Sequence, residues 1–200
     1  MRYFKIEELG DLRNIKALAT IDEEPQGLKL KSWYLTHGKP VQTLYQKIYQ
    51  DNLKINLEKN AKDGSLADFI SNTACLLIFS ERCKKVFQEF LSEEDVEYLP
   101  LDIYDASDVF ISGDYWLIQP LNTHDVLDRQ ACEISYDNLE PEKPVGVIGD
   151  YFFSEEKVNT APALFRIPEY PSDFFIREDL ARALYELHPS NVFLTEITVL

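Results

Sequence analysis

Three carboxylates at three-residue spacing, Asp102, Asp105 and Asp108, come closest in this chain to a metal-binding pattern. Carboxylate oxygens are the ligands that Ca²⁺ and Mg²⁺ prefer, but an EF-hand loop also needs a central glycine and a closing glutamate, which are absent from this register. A solvated acidic loop is the simpler interpretation. An enzyme with a carboxylate site at these residues stays open as a hypothesis, which a metal-dependent shift in melting temperature would support.

Other catalytic patterns are weaker still. The histidines, His37, His124 and His188, form no pair at metal-ligand spacing, and the chain contains neither an HExxH nor a GxSxG motif. Gly146 and Gly149 lack the third glycine and the Lys-Ser/Thr of a phosphate-binding loop. We therefore predict that the protein is not an enzyme and holds neither a metal nor a cofactor.

Acidic charge is the most unusual property of the chain. Its net charge is −15 at neutral pH, and no Lys or Arg occurs over the 43 residues 86–128. Nucleic acid and anionic membranes are therefore unexpected partners, because both bind clustered basic residues. A folded acidic surface attracts a basic protein instead, although a merely solvated face would have the same composition. The stretch contains eleven carboxylates: Glu89, Glu93, Glu94, Asp95, Glu97, Asp102, Asp105, Asp108, Asp114, Asp125 and Asp128.

The cellular compartment is indicated by what the chain lacks. Residues 1–8 contain no apolar region of the kind found in signal peptides, and no stretch is long and apolar enough to cross a bilayer. The cysteines, Cys75, Cys83 and Cys132, are odd in number and form no CxxC pair. These features predict a cytoplasmic protein with reduced, buried thiols.

Two stretches, 77–103 and 174–199, share one order of elements. Each begins with a short β-rich run, continues with apolar residues at helical spacing over 81–91 or 179–188, and ends in a second β-rich run. Each therefore predicts a strand, a helix and a second strand that ends near residue 103 or 199. The similarity between the two stretches indicates either an internal duplication or convergence on a common packing.

The remaining elements are predicted more briefly. Strands are expected at 53–57, 115–118, 151–153 and 164–167, and an amphipathic helix at 41–49. Six prolines between 120 and 171 argue against long helices in that half of the chain. Together the patterns predict an α+β fold in which residues 1–200 form one domain, with a mixed or antiparallel sheet and a few packed helices.

Several motifs in a fixed order resemble a family of bacterial immunity proteins. The segments DFI (68–70), IFSER (78–82) and VEYLP (96–100) are similar to the DFL, VVSERL and VEFLPV motifs of that family. Segments 115–122 with 125–128, and 164–167 with 175–180, are similar to its YYVLN…DALD and hiFRi…fvSeeL motifs. On these residues the chain is identified as a member of immunity protein family eleven of the polymorphic toxin systems, over roughly residues 30–200.

Two positions depart from the family pattern. Arg177 stands where a serine usually precedes the second helix, and Asn191 stands where a glycine commonly precedes the last strand. Because Asn adopts the left-handed backbone conformation more readily than most residues, we expect the same fold at Asn191.

The resemblance implies an inhibitor that binds a toxin made by the same cell, and it implies no catalytic residues. An adaptor or chaperone that carries a secreted effector is the alternative, which a position beside a secretion gene rather than after a toxin gene would favour. We expect the partner to be a toxin or effector with a basic surface. The acidic residues expected to contact it lie in loops and turns: Asp102, Asp105, Asp108, Asp114, Glu93, Glu94 and Asp95.

Because no histidine belongs to a catalytic pattern, replacing His37, His124 and His188 together by alanine should leave toxin neutralisation intact, with only a modest loss of stability. Growth of cells that express the toxin measures this outcome. Loss of protection by a triple variant that still folds would contradict it and favour the enzyme hypothesis.

Overall fold

The computed structural model describes residues 1–7, 10, 20–21, 35, 38, 52–57, 66–72, 74–140 and 144–200. Within these ranges the fold is α+β, as predicted, and the predicted helix at 41–49 lies outside them. The helices are α1 (Glu81–Phe90), α2 (Glu155–Val158) and α3 (Glu178–Glu186). The strands are β1 (Tyr3–Ile6), β2 (Thr20–Ile21), β3 (Leu53–Asn56), β4 (Ser71–Asn72), β5 (Ile78–Ser80), β6 (Val96–Tyr104), β7 (Phe110–Pro120), β8 (Glu133–Tyr136), β9 (Pro144–Ile148), β10 (Phe152–Phe153), β11 (Leu164–Phe165), β12 (Phe174–Arg177) and β13 (Leu194–Val199).

Two larger sheets carry the fold, one with the strand order β3-β6-β7-β5 and the other with the order β10-β13-β1-β12-β11. In the first sheet β5 and β6 both run antiparallel to β7, and β3 runs parallel to β6. In the second sheet β12 and β13 both run antiparallel to β1. The smaller pairs are β2 with β4 and β8 with β9.

The two stretches that echo each other in sequence also share a topology. In each, the two strands that flank the helix enclose a third strand from elsewhere in the chain, which is β7 in the first unit and β1 in the second. This is a split β-α-β arrangement. The predicted strand, helix and strand are therefore confirmed in both units, whereas their common ancestry stays a prediction.

The helices α1 and α3 join the units through one apolar core. They pack against each other, and their buried residues share that core with strands of both larger sheets. Spacings of three and four residues place these side chains on a single helix face. The buried residues are Cys83, Val86 and Phe87 in α1, and Leu180, Ala181 and Leu184 in α3.

The cysteines follow the prediction at two of three positions. None of the three forms a disulfide, and Cys83 and Cys132 are buried. Burial raises the pKa of the Cys83 thiol to about 11, so this group is neutral at physiological pH. Cys75 is partly exposed, against the prediction, and it lies in the segment before β5 with a left-handed backbone φ of 53°.

Asp68, a buried carboxylate beside this core, accepts hydrogen bonds from both units. It accepts hydrogen bonds from Ser80 Oγ at 2.7 Å and Arg82 Nε at 2.6 Å, at the start of α1. From the other unit it accepts hydrogen bonds from the Ser190 amide at 2.8 Å and Ser190 Oγ at 2.9 Å. Arg82 also donates to the Leu187 carbonyl at 3.0 Å, so the same cation contacts both units.

The loop before the last strand depends on Asn191. Its φ of 62° is left-handed, as predicted for the residue that replaces a glycine. Its side-chain amide donates to the Phe69 carbonyl at 3.0 Å and to Ser71 Oγ at 2.8 Å. Asparagine therefore supplies contacts here that a glycine would lack. The second departure, Arg177, forms a two-pronged hydrogen bond to Asp179, with both N–O distances at 2.9 Å.

Three strand regions have no counterpart among the predicted elements, namely β1, the β2–β4 pair and the β8–β9 hairpin. β1 is a central strand of the five-stranded sheet, but its burial pattern does not alternate, since both ends are buried and both middle residues are half-buried. The β8–β9 hairpin contains Gly146, so the pair of glycines belongs to a strand and the turn after it rather than to a phosphate-binding loop.

Replacing Asp68 with asparagine should lower the free energy of unfolding by about 2–3 kcal/mol, because hydrogen bonds to a charged group are stronger than neutral ones. Burial alone would raise the pKa of Asp68, but the hydrogen bonds from Arg82, Ser190 and Ser80 outweigh it and hold that pKa well below its usual range. A depressed folded-state pKa stabilises the protein above the unfolded value, and this contribution is lost as pH falls below that value.

Thermal unfolding between pH 5 and pH 3 should therefore show a smaller loss of stability for Asp68→Asn than for the wild type. Asp179→Asn is the matched control, because Asp179 pairs with Arg177 at the surface and exposed pairs contribute less than about 1 kcal/mol. Equal acid sensitivity of the wild type and Asp68→Asn would contradict this role for Asp68.

Candidate binding site at the tip of the β6–β7 hairpin

The longest hairpin of the described chain, β6–β7, carries most of the predicted contact residues. Its strands pair from Val96 opposite Pro120 to Tyr104 opposite Phe110. We call residues 104–110 the hairpin tip. Within the tip Asp105 organises the turn, since its Oδ1 accepts hydrogen bonds from the amides of Ser107 at 2.8 Å and Val109 at 2.9 Å.

Strand β3 braces the tip from the side. Lys54 forms an ion pair with Asp108, and its Nζ lies 4.1 Å from the centre of the Tyr104 ring. The Asn56 side chain donates to Asp108 Oδ1 at 3.2 Å and to the Asp105 carbonyl at 3.3 Å. Hydrogen bonds from Lys54 and Asn56 lower the pKa of Asp108, which therefore stays ionised. The tip is consequently held in one conformation from outside the hairpin.

Aromatic packing continues this brace to Phe110. The Phe110 and Tyr104 rings meet edge to face, with centroids 5.6 Å apart and an interplanar angle of 76°. Gly113 lies beside this ring, and a Cβ there would make an ordinary contact with Phe110 Cζ at 3.7 Å but a tight one with Asp102 Oδ1 at 3.1 Å. Asp102 itself accepts a hydrogen bond from Asn52 Nδ2 at 2.9 Å.

Two apolar side chains stand exposed on this braced tip. Val109 is 58% exposed and Phe110 is 55% exposed, although both belong to a run that resembles buried β-sequence. The Asp102, Asp105 and Asp108 carboxylates lie on the same tip and the strand leading to it. The structure thus places apolar surface directly beside acidic charge.

The other predicted acids lie elsewhere. Glu93 and Glu94 are exposed in the turn before β6, whereas Asp95 accepts hydrogen bonds from the Ser92 amide at 3.0 Å and Ser92 Oγ at 2.8 Å. This turn and the hairpin tip stand at opposite ends of β6. The separation is about 26 Å, from the usual rise of about 3.3 Å per residue in a strand.

Asp114 lies between these ends on β7. It is exposed and lines a shallow depression together with Arg82 and Lys85 of α1. Within the described ranges its carboxylate accepts no hydrogen bond, as is also true of Glu93 and Glu94. The seven predicted residues therefore divide into two sets: Asp95, Asp102, Asp105 and Asp108 contact their own chain, and Glu93, Glu94 and Asp114 face solvent.

The histidines and carboxylates were also candidates for chemistry. His124 is half-buried, packs edge-on to Phe165 at 6.1 Å, and has its pKa lowered mainly by burial. His188 is exposed just after α3, and His37 lies outside the described residues. Over the ranges that the structure describes, no group of three or more His, Cys, Asp or Glu side chains is arranged to hold a metal ion.

Replacing Asp105 with alanine should expose the Ser107 and Val109 amides to faster hydrogen exchange, because both lose their acceptor. The loss of global stability should be about 1 kcal/mol, the usual contribution of one or two hydrogen bonds. Asp114→Ala is the matched control, with an expected change within about 0.5 kcal/mol. Unchanged exchange at both amides would show that Asp105 does not hold the turn.

Comparison with known families adds an independent finding. Residues 13–199 match the model of an immunity protein family (Imm11), in agreement with the resemblance seen in the motifs. No curated protein matches the chain. No helix in the described residues is long and apolar enough to cross a membrane. Because the family match spans nearly the whole chain, the protein belongs to the Imm11 immunity protein family.

Proposed function

We propose that the protein is an immunity protein that binds a cognate toxin in the cytoplasm and blocks its activity. Family membership supports the general role, since the matched model is that of an immunity protein family. The hairpin tip is the surface that we propose contacts the toxin. It is exposed and braced, and it lies within the 43 residues 86–128 that contain no Lys or Arg.

The partner's surface should be basic. A carboxylate that accepts hydrogen bonds from its own chain keeps its negative charge, so Asp102 and Asp105 still contribute to the field around the tip. Lys54 offsets the charge of Asp108, whereas the stretch 86–128 as a whole contains eleven carboxylates and no Lys or Arg. Opposite charge on a toxin would steer it to this surface and raise the association rate.

The cytoplasmic location is supported by the cysteine chemistry. Cys75, Cys83 and Cys132 form no disulfide, and two of them are buried. Thiols that stay reduced in this way are typical of proteins that work in a reducing compartment. A protein that protects the cell that makes it must also meet the toxin where the toxin acts.

Replacing Ala106 with a charged residue tests the proposed surface without removing an internal contact. Ala106 is exposed in the tip, whereas Asp105 and Asp108 hold the turn, and reversing their charge would disturb its geometry. Ala106→Lys should slow association with the toxin and Ala106→Glu should quicken it. A change of about twofold is expected for each variant, since one pair of charges about 10 Å apart in water interacts by about 0.4 kcal/mol.

Association rates of the wild type and both variants are measured by stopped flow, with the toxin domain encoded directly upstream as the partner. At 1 M salt the three rates should converge, because the screening length falls to about 3 Å. Identical, salt-independent rates for all three proteins would mean that the acidic stretch is only a solvated face. Absence of binding by the wild type would overturn the proposed function itself.

A further inference from the structure

Exposed apolar side chains occur at several places in the described chain, but they differ in their setting. Met1 and Leu200 are chain ends, and Leu139 lies 92% exposed in the turn after β8. Val109 and Phe110 are instead adjacent, and they sit where two long paired strands meet a hydrogen-bonded turn. A large apolar side chain displayed on a fixed support is typical of an interface anchor.

The support of Phe110 is a continuous series of contacts. Asp108 pairs with Lys54, Lys54 lies over the Tyr104 ring, and Tyr104 meets Phe110 edge to face. The backbone at Val109 is fixed on both sides, because its amide donates to Asp105 Oδ1 at 2.9 Å and its carbonyl accepts from the Asp105 amide at 2.8 Å. Little conformational freedom is then lost when the tip binds, which favours affinity.

The charges around Val109 and Phe110 indicate what kind of surface would bind these two residues. Asp105 and Asp108 lie in the tip and Asp102 lies on the strand leading to it, and we call these three residues the acidic border. Residues 86–128 contain no Lys or Arg. A lipid surface is disfavoured by this charge, because biological membranes are usually anionic. An apolar pocket bordered by Lys and Arg on a protein fits both the apolar pair and its acidic border.

We propose that Phe110, with Val109 beside it, is the anchor that the tip inserts into an apolar, basic-rimmed pocket of the toxin. Because this anchor presupposes toxin binding, it rests on the proposed function. The acidic border then governs how fast the proteins meet, and the buried ring governs how slowly they separate. Insertion of the tip also brings the acidic border against the basic rim of the pocket.

Phe110→Ala tests the anchor against Leu139→Ala, its matched control on the other exposed hairpin turn. Surface plasmon resonance with the upstream toxin domain should show the Kd of Phe110→Ala raised about 30-fold, the usual threshold of an interface hot spot. The increase should lie mainly in the dissociation rate. Leu139→Ala should bind like the wild type, and Phe110→Leu should recover part of the affinity.

Val109→Ala is a second, milder variant whose backbone hydrogen bonds are unaffected, and it should raise the Kd about threefold. Circular dichroism and thermal unfolding confirm that each variant is folded. Wild-type binding together with unchanged affinity in folded Phe110→Ala and Val109→Ala would overturn the anchor and leave the proposed function standing. Absence of binding by the wild type would overturn both.

Discussion

The packing of the two strand-helix-strand units depends on one buried carboxylate that both units contact. Asp68 accepts hydrogen bonds from Ser80 and Arg82 at the start of α1 and from Ser190 after α3. A buried charge destabilises a protein unless its hydrogen bonds are satisfied, so this carboxylate is favourable only when both units are in place. Its hydrogen bonds therefore connect the start of α1 to the residues that follow α3, next to the core that both helices share.

That packing decides which part of the β6–β7 hairpin faces solvent. α1 covers the beginning of β6 and the end of β7, where Val96 and Ile118 enter the shared core and Lys84 lies 3.8 Å from the centre of the Trp116 ring. At the far end of the hairpin Tyr104 pairs with Phe110. There the brace comes from β3 through Lys54, and the tip stays both ordered and exposed.

The sequence predicted elements whose signal is local and missed features that depend on distant partners. Periodic apolar residues were enough for the two strand-helix-strand units, and Asn191 was recognisable as a left-handed position because few residues adopt that conformation. β1 was not predicted from the sequence, because its burial comes from neighbouring strands on both sides in the sheet. Phe110 was not singled out from the sequence, because an apolar residue at the start of a strand is expected to be buried, and only the structure shows that more than half of this side chain is exposed.

The acidic stretch shows why counting charges overstates a binding site. Several of its carboxylates already accept hydrogen bonds from their own chain through one oxygen, so the side chain cannot turn toward a partner without losing those bonds. Their charge still acts at a distance, because the long-range field depends on net charge and not on hydrogen-bond partners. The carboxylates and the Phe110 ring thus have different roles. The carboxylates fix the geometry of the tip and attract a partner at long range. The ring supplies apolar surface that is buried only when the partner is in close contact.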